Sequence, residues 1–378
     1  MVVKAYRYRL YCTKAQVTSL NRWLDLSRWV YNKTLEVRKT SWETDEVRIG
    51  LFATNKLLPQ WKQEKPELQE VHSQVLQNAQ KRVDTAFQGF FRRVKNHETP
   101  GYPRFRNRFR YDSLCWPQYP GGAVLDGDIL RVRGIGDIRI NLHRPVEGKI
   151  KTTTISRTST GKWFVIFSVE VDVVWLPTSQ RAIGLDAGLE NLLTSDQGRV
   201  IHNPRFLRRG QHDLKRAQRK LSATAKGTVD RAKKRKVVAH IHERIRNQRV
   251  NFAHRISRYF VDHYGVIVFE DLNVLNMVKN HCLAKSIQDA AWTMIRTFTI
   301  YKAAEAGRTI ILVNPAYTSQ DCSRCGHREK KPLGQREHRC PACGLVLHRD
   351  HNAAINILRL GLQSLALGPA SPRRKSGK

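Results

Sequence analysis

Four cysteines and three acids carry the chemistry that this sequence offers. Cys322-Ser323-Arg324-Cys325 and Cys340-Pro341-Ala342-Cys343 are separated by fourteen residues. Two such CxxC pairs at that distance close a tetrahedral Zn²⁺ knuckle, and four thiolates leave no open position, so one structural zinc is expected, without a role in bond breaking. The acids differ in setting. Asp186 ends an apolar strand within Gly184-Leu185-Asp186-Ala187-Gly188, where flanking glycines leave a carboxylate room to meet a metal and a phosphate backbone. Glu270 closes the apolar run Gly265 to Phe269, where an acid is costly unless it is exposed, hydrogen bonded or holding a cation. Asp350 opens a helix whose small residues Ala353 and Ala354 permit close packing against a sheet.

Each acid alone has a bland reading, as a strand-end polar residue or an ordinary helix N-cap. Their order adds information. A strand-end Asp, a later strand-end Glu and a terminal-helix Asp are the arrangement with which RNase H-like nucleases hold two Mg²⁺ ions, spaced about 3.5 to 4 Å apart in two-metal sites. Carboxylate oxygens suit hard Mg²⁺ or Mn²⁺, whereas zinc prefers the cysteines. The expected catalytic and metal-binding set is therefore Asp186, Glu270 and Asp350.

These side chains need a scaffold. After an opening strand, Thr13 can cap a helix whose apolar positions Val17, Leu20, Trp23, Leu24 and Val30 recur at helical spacing. A second stripe, Val75, Ala79, Val83, Ala86, Phe87, Phe90 and Val94, predicts a helix over about Gln74 to Lys95. Pro100, Gly101 and Pro103 then break the chain, and from Arg104 to Arg110 basic and aromatic residues interleave, a mixture suited to phosphate contact with base stacking. Asp112 to Pro177 reads as strands with turns at Gly121-Gly122, Asp126-Gly127 and Thr160-Gly161. Short buried strands are expected at 181–186, Arg199 to His202 and Val266 to Phe269, with helices separating them. Between Arg205 and Arg249, 16 Lys or Arg face 3 acids on a helical pattern, which predicts a basic helical hairpin. A helix from Ala284 to Ala306, a strand from Thr309 to Val313 and a last helix from about Asp350 to Leu360 follow, and the basic tail 363–378 is expected to be disordered.

The charge balance, 67 Lys and Arg against 32 Asp and Glu for a formal +35, calls for a polyanionic partner. Apolar runs fall well short of the ~20 residues of a membrane span, so no membrane partner is expected. The N-terminus lacks a secretory core, and seven cysteines, an odd number, suit a metal site in a reducing compartment. A cytoplasmic protein is the expectation.

The segments Gly184 to Gly188, His242 to Arg249, Glu270-Asp271-Leu272, Tyr317 to Gly326 and Arg349 to Asn356 resemble, in this order, those of the TnpB family, transposon-encoded RNA-guided nucleases related to type V CRISPR effectors. The resemblance spans nearly the whole chain. It implies an α/β chain with a wedge-type β-barrel (1–12 and 111–178) carrying a helical recognition lobe (13–110), then a RuvC, RNase H-like nuclease domain (179–314 and 349–362) interrupted by a zinc module (315–348). It also implies a guide RNA from the transposon end, a double-stranded DNA target with a short adjacent motif, a monomer in the RNA complex, and a prokaryotic, nucleoid-associated setting. Such a division of labour leaves sequence reading to base pairing while the protein grips phosphates. Gln77 falls where the resemblance places a base-contacting side chain, and Gln pairs bidentately with adenine. Arg104, Arg106, Arg244, Arg246 and Arg249 are the further candidates for nucleic-acid contact. His348 stands where many relatives carry an acid. Rival readings are an RNA-guided binder without nuclease activity, an RNase H-like transposase and a guide-free junction resolvase.

Overall fold

A computed structural model describes residues 2–173, 175–332 and 334–366. The chain divides into two units, Met1–Asp172 and Val173–Lys378.

The first unit runs from β1 (Val2–Tyr11) into the helices α1 (Lys14–Asp45), α2 (Leu51–Lys56) and α3 (Leu58–Glu64), a 3-10 turn (Pro66–Glu70) and α4 (Ser73–Lys95). It then returns through β2 (Ser113–Trp116), β3 (Ala123–Asp126), β4 (Ile129–Val132), β5 (Gly136–Asn141), β6 (Lys149–Arg157) and β7 (Trp163–Val171). A reciprocal capping box between Thr13 and Gln16 starts α1, satisfying amides that the first turn leaves unpaired. Leu20, Trp23, Leu24 and Val30 on α1, and Val75, Ala79, Val83 and Phe87 on α4, are the buried stripes, whereas Val94 is exposed. The strands form one antiparallel sheet of seven in the order β2-β6-β7-β1-β5-β4-β3. Its end strands β2 and β3 share no ladder among the described residues, so the hydrogen-bonded sheet is near a barrel but open.

The second unit holds β8 (Ala182–Asp186), β9 (Asn191–Ser195), β10 (Val200–His202), α5 (Phe206–Ser222), α6 (Val229–His263) and β11 (Val266–Glu270). Then come α7 (Val274–Met277), α8 (His281–Ala290), α9 (Trp292–Ala306), β12 (Thr309–Val313), β13 (Glu337–Arg339), β14 (Val346–His348) and α10 (Arg349–Ala366). The main sheet has the order β10-β9-β8-β11-β12. β8, β9 and β10 form an antiparallel meander, while β11 runs parallel to both β8 and β12.

Three expectations need correction here. No helix separates the strand at 181–186 from that at Arg199 to His202: the run Asn191-Leu192-Leu193-Thr194-Ser195 is itself a strand, too short for periodicity to reveal. The helix expected over Ala284 to Ala306 is two helices, broken at Ala291, whose φ of 56° is left-handed and cannot continue a right-handed helix. The tail expected to be disordered from 363 begins in helix, because α10 extends to Ala366; residues 367–378 lie outside the described residues. No described helix is long and apolar enough to cross a membrane.

Candidate active site

Strand register brings the first two acids together. In the parallel pair β8 and β11, Phe269 lies opposite Leu185, so one further step sets Glu270 beside Asp186. Side chains alternate along a strand, so Asp186 shares a face with Gly184, and Glu270 with Val268. That face receives α10. A Cβ on Gly184 would stand 2.5 Å from the Ala354 carbonyl oxygen and 2.7 Å from Leu358 Cβ. One on Gly361 would stand 2.6 Å from both Val268 γ-carbons. The two bare α-carbons therefore let α10 lie directly on the sheet, with Ala353 and Ala354 buried between. Gly184 thus serves helix packing rather than giving its neighbour's carboxylate room.

Asp350 sits in the first turn of α10, one residue inside the helix, and not at the cap. The turn after β8 runs close by, since a Cβ on Gly188 would lie 3.7 Å from Asp350 Oδ2. The electrostatics report the same convergence. Burial, then the charges of Glu270 and Asp350, hold the Asp186 carboxyl well above the usual carboxylate range, against the pull of Arg349 and the Ala187 amide. Glu270 is only 8% exposed, and burial pushes it up to about 7, although the Thr318 hydroxyl donates a 2.7 Å hydrogen bond to Oε1 and pulls the other way. Asp271 leaves on the opposite side and pairs with Arg296 at 2.9 Å. An apolar surround and mutual repulsion make these acids hungry for positive charge, and oxygen donors of this kind can hold hard divalent cations. Their oxygens are not drawn into one tight cluster: among the described residues, only the four cysteines put three or more ligand atoms all within 4.8 Å of one another.

Those cysteines form a second centre. The Sγ atoms of Cys322 and Cys343, and of Cys325 and Cys340, are 3.6 Å apart, far beyond a disulfide bond. Bonds of ~2.3 Å to a tetrahedral zinc place sulfurs about 3.8 Å from one another, so the four can hold that ion. Both knuckles fold alike: the Gly326 amide donates to the Cys322 carbonyl and the Gly344 amide to the Cys340 carbonyl.

Sequence reasoning passed over two residues that tie the centres together. Asn352 and Asn356, four apart on α10, are 0% and 1% exposed. Asn352 donates to the Asp321 carbonyl at 2.8 Å and accepts from the Ser323 amide at 2.9 Å. Asn356 donates to the carbonyls of Thr318 at 2.9 Å and Asp321 at 2.7 Å. The signal was there to read: two amides on the apolar face of a helix are costly unless they bond something specific.

The remaining candidates are spread over both units. Gln77 is exposed on α4, as are Arg104 and Arg106 beyond it. Asn32 holds the Arg106 backbone at two points, 2.8 and 3.0 Å. Arg244 and Arg246 are exposed on α6. Arg249 is engaged within the fold: it pairs at 2.7 Å with Asp289, whose carboxylate also accepts from the Leu207 and Arg208 amides in the first turn of α5.

Comparison with known proteins places the whole chain in a family. Family models match residues 166–281 (OrfB_IS605, "Probable transposase"), 292–357 ("Cas12f1-like, TNB domain") and 1–46 ("Helix-turn-helix domain"). The last segment holds β1 and one continuous helix in this chain. A Streptomyces pristinaespiralis protein named "Putative RNA-guided DNA endonuclease" is 37% identical over 100% of this chain and 94% of its own length. "Putative RNA-guided DNA endonuclease InsQ" of Escherichia coli (strain K12) is 31% identical over 97% of this chain and 94% of its own. Among solved structures, the mini-RNA-guided endonuclease CRISPR-Cas_phi3 shares the fold, with a TM-score of 0.57 at 9% identity, covering 96% of this chain and 92% of that one. With identities of this size running from end to end, the chain belongs to the TnpB family of transposon-associated RNA-guided DNA endonucleases.

Proposed function

We propose that this chain hydrolyses target DNA by two-metal catalysis, with Asp186, Glu270 and Asp350 as the ligands of two Mg²⁺ ions, which Mn²⁺ can replace. One observation carries the proposal: acids 84 and 80 residues apart in sequence approach one another over the ends of β8 and β11, and the Asp186 carboxyl feels the charge of both of the others. The 3-2-1-4-5 strand order, antiparallel then parallel, supports an RNase H-like fold for 179–314 with 349–362. When bound, divalent ions lower the pKa of water and offset the charge that develops on the departing 3′-oxygen. The chain itself holds three carboxylates at one edge and fixes the buried Glu270 through the Thr318 hydroxyl. Four thiolates from 315–348 hold one structural zinc.

In the same reading a guide RNA and a double-stranded target with its adjacent motif bind the chain as a monomer. The first unit supplies a wedge (1–12, 111–178) and a recognition lobe (13–110), with Gln77, Arg104 and Arg106 at the nucleic acid and Arg244 and Arg246 joining from α6. Asp186→Ala is expected to lower cleavage of a guide-matched plasmid in Mg²⁺ by at least ~10³-fold, an electrostatic loss of the size seen when transition-state stabilisers are removed. RNA and target binding should change less than about threefold, about 0.7 kcal/mol. Cleavage retained by the variant would refute the assignment. Joined rather than hydrolysed ends would favour strand transfer, the chemistry of a transposase.

A further inference from the structure

The buried amides of α10 reach from one metal centre to the other. The short stretch of chain from Thr318 to Ser323 has its backbone pinned at three positions: the carbonyls of Thr318 and Asp321 and the amide of Ser323. All three are held by Asn352 or Asn356, which follow Asp350 on the same helix by two and six residues. At one end of the stretch Thr318 donates to Glu270, and at the other Cys322 and Cys325 enter the zinc knuckle. Thr318 is itself 4% exposed, so water does not substitute for its hydroxyl.

We propose that Thr318, Asn352 and Asn356 are positioning residues that couple the two centres, so that the knuckle, when zinc holds it, sets the position of Glu270 and hence the affinity of the carboxylates for divalent ions. This rests on the reading of Asp186, Glu270 and Asp350 as a metal site. Hydrogen-bond partners of metal ligands typically alter affinity ten- to a hundredfold when removed, and here one such partner is joined to the knuckle by a few residues of backbone that Asn352 and Asn356 pin. The coupling is reciprocal by linkage: ions at the carboxylates also tighten zinc retention.

The test uses the full zinc-loaded chain and Mn²⁺ binding followed by electron paramagnetic resonance, a readout independent of cleavage. Thr318→Val removes the hydroxyl at nearly constant shape and is expected to weaken Mn²⁺ binding on the order of tenfold, whereas Thr318→Ser, which keeps the hydroxyl, stays within about twofold of the parent. Asn352→Ala, which touches none of the acids, is expected to weaken Mn²⁺ binding and to speed loss of zinc to a zinc-selective chelator. Saturating Mn²⁺ should slow zinc loss in the parent but not in Thr318→Val. Unchanged Mn²⁺ affinity in Thr318→Val, or equal losses in the Val and Ser variants, would overturn the coupling. Should Asn352→Ala fail to fold, the Thr318 pair and its zinc-loss measurement still decide. Asp186→Ala separates the two levels: if it binds Mn²⁺ as the parent does, the carboxylate site itself is wrong, not merely its link to the knuckle.

Discussion

Glu270 shows how one side chain can be destabilising in isolation and useful in context. Burial raises its folded pKa from an ordinary 4.5 to about 7, so between those values the folded chain holds a proton that the unfolded chain releases. Stability from this group is complete below the unfolded value and is lost as pH rises through the folded one. In Mg²⁺-free buffer the unfolding free energy should therefore fall between about pH 4.5 and 7, by on the order of 1–3 kcal/mol attributable to this carboxyl, and the melting temperature should fall with it. Glu270→Gln, which cannot ionise, should flatten that slope, and added Mg²⁺ should restore stability to the parent at the upper end. Calorimetry over the range checks it; a variant with the parent's slope would show that the carboxyl does not carry the effect. The identity of the acid was legible from its apolar strand, because an unpaired carboxylate there demands a reason. Its partner Thr318 was not, since a hydroxyl in a turn says nothing of what lies 48 residues earlier.

The placement of α10 decides where Asp350 goes. Small residues on that helix already suggested close packing, but only the tertiary contact reveals that Gly184 and Gly361 are the two points where backbone meets neighbour. Gly184→Ala would drive a methyl group to 2.5 Å from the Ala354 carbonyl oxygen, in contact with backbone that cannot swing aside. The expected cost is about 1–3 kcal/mol of stability, with cleavage reduced more than binding of RNA, because the helix shifts Asp350 away from Asp186. Denaturant melts beside single-turnover cleavage measure both; an unperturbed variant would mean that α10 packs elsewhere. The break between α8 and α9 illustrates the opposite limit. An alanine is a good helix former, and nothing local announces that Ala291 adopts a left-handed conformation.

Across the whole chain, an excess of 35 positive charges must be met by its partner, and this governs binding more than any single contact does. Guide RNA affinity should fall steeply, by roughly 10³-fold or more between about 50 and 200 mM salt if six to ten phosphates are neutralised. Replacing Arg244 and Arg246 together by Ala should reduce the slope of log K against log salt by about 2, since each phosphate contact contributes nearly one unit. Filter binding across a salt series measures it, and an unaltered slope would place those two arginines away from the RNA. Arg249 behaves differently because its guanidinium is already spent on Asp289, so its loss should appear as instability of the α5–α6 hairpin.

By itself the sequence determined what chemistry is on offer: cysteines spaced to bind zinc, acids able to bind harder ions, and a charge excess that suits a polyanionic partner. Those conclusions rest on residue type and spacing, and a CxxC pair or a charge balance means the same wherever the chain later goes. Helices with long apolar stripes were legible for the same reason, as with α1 and α4. Only the tertiary structure decided that β9 pairs between β8 and β10, that Gly184 yields its space to α10, and that two buried amides join the knuckle to Glu270. Each of these is a contact between residues far apart along the chain, and the free energy that selects it comes from packing and desolvation that no local pattern records.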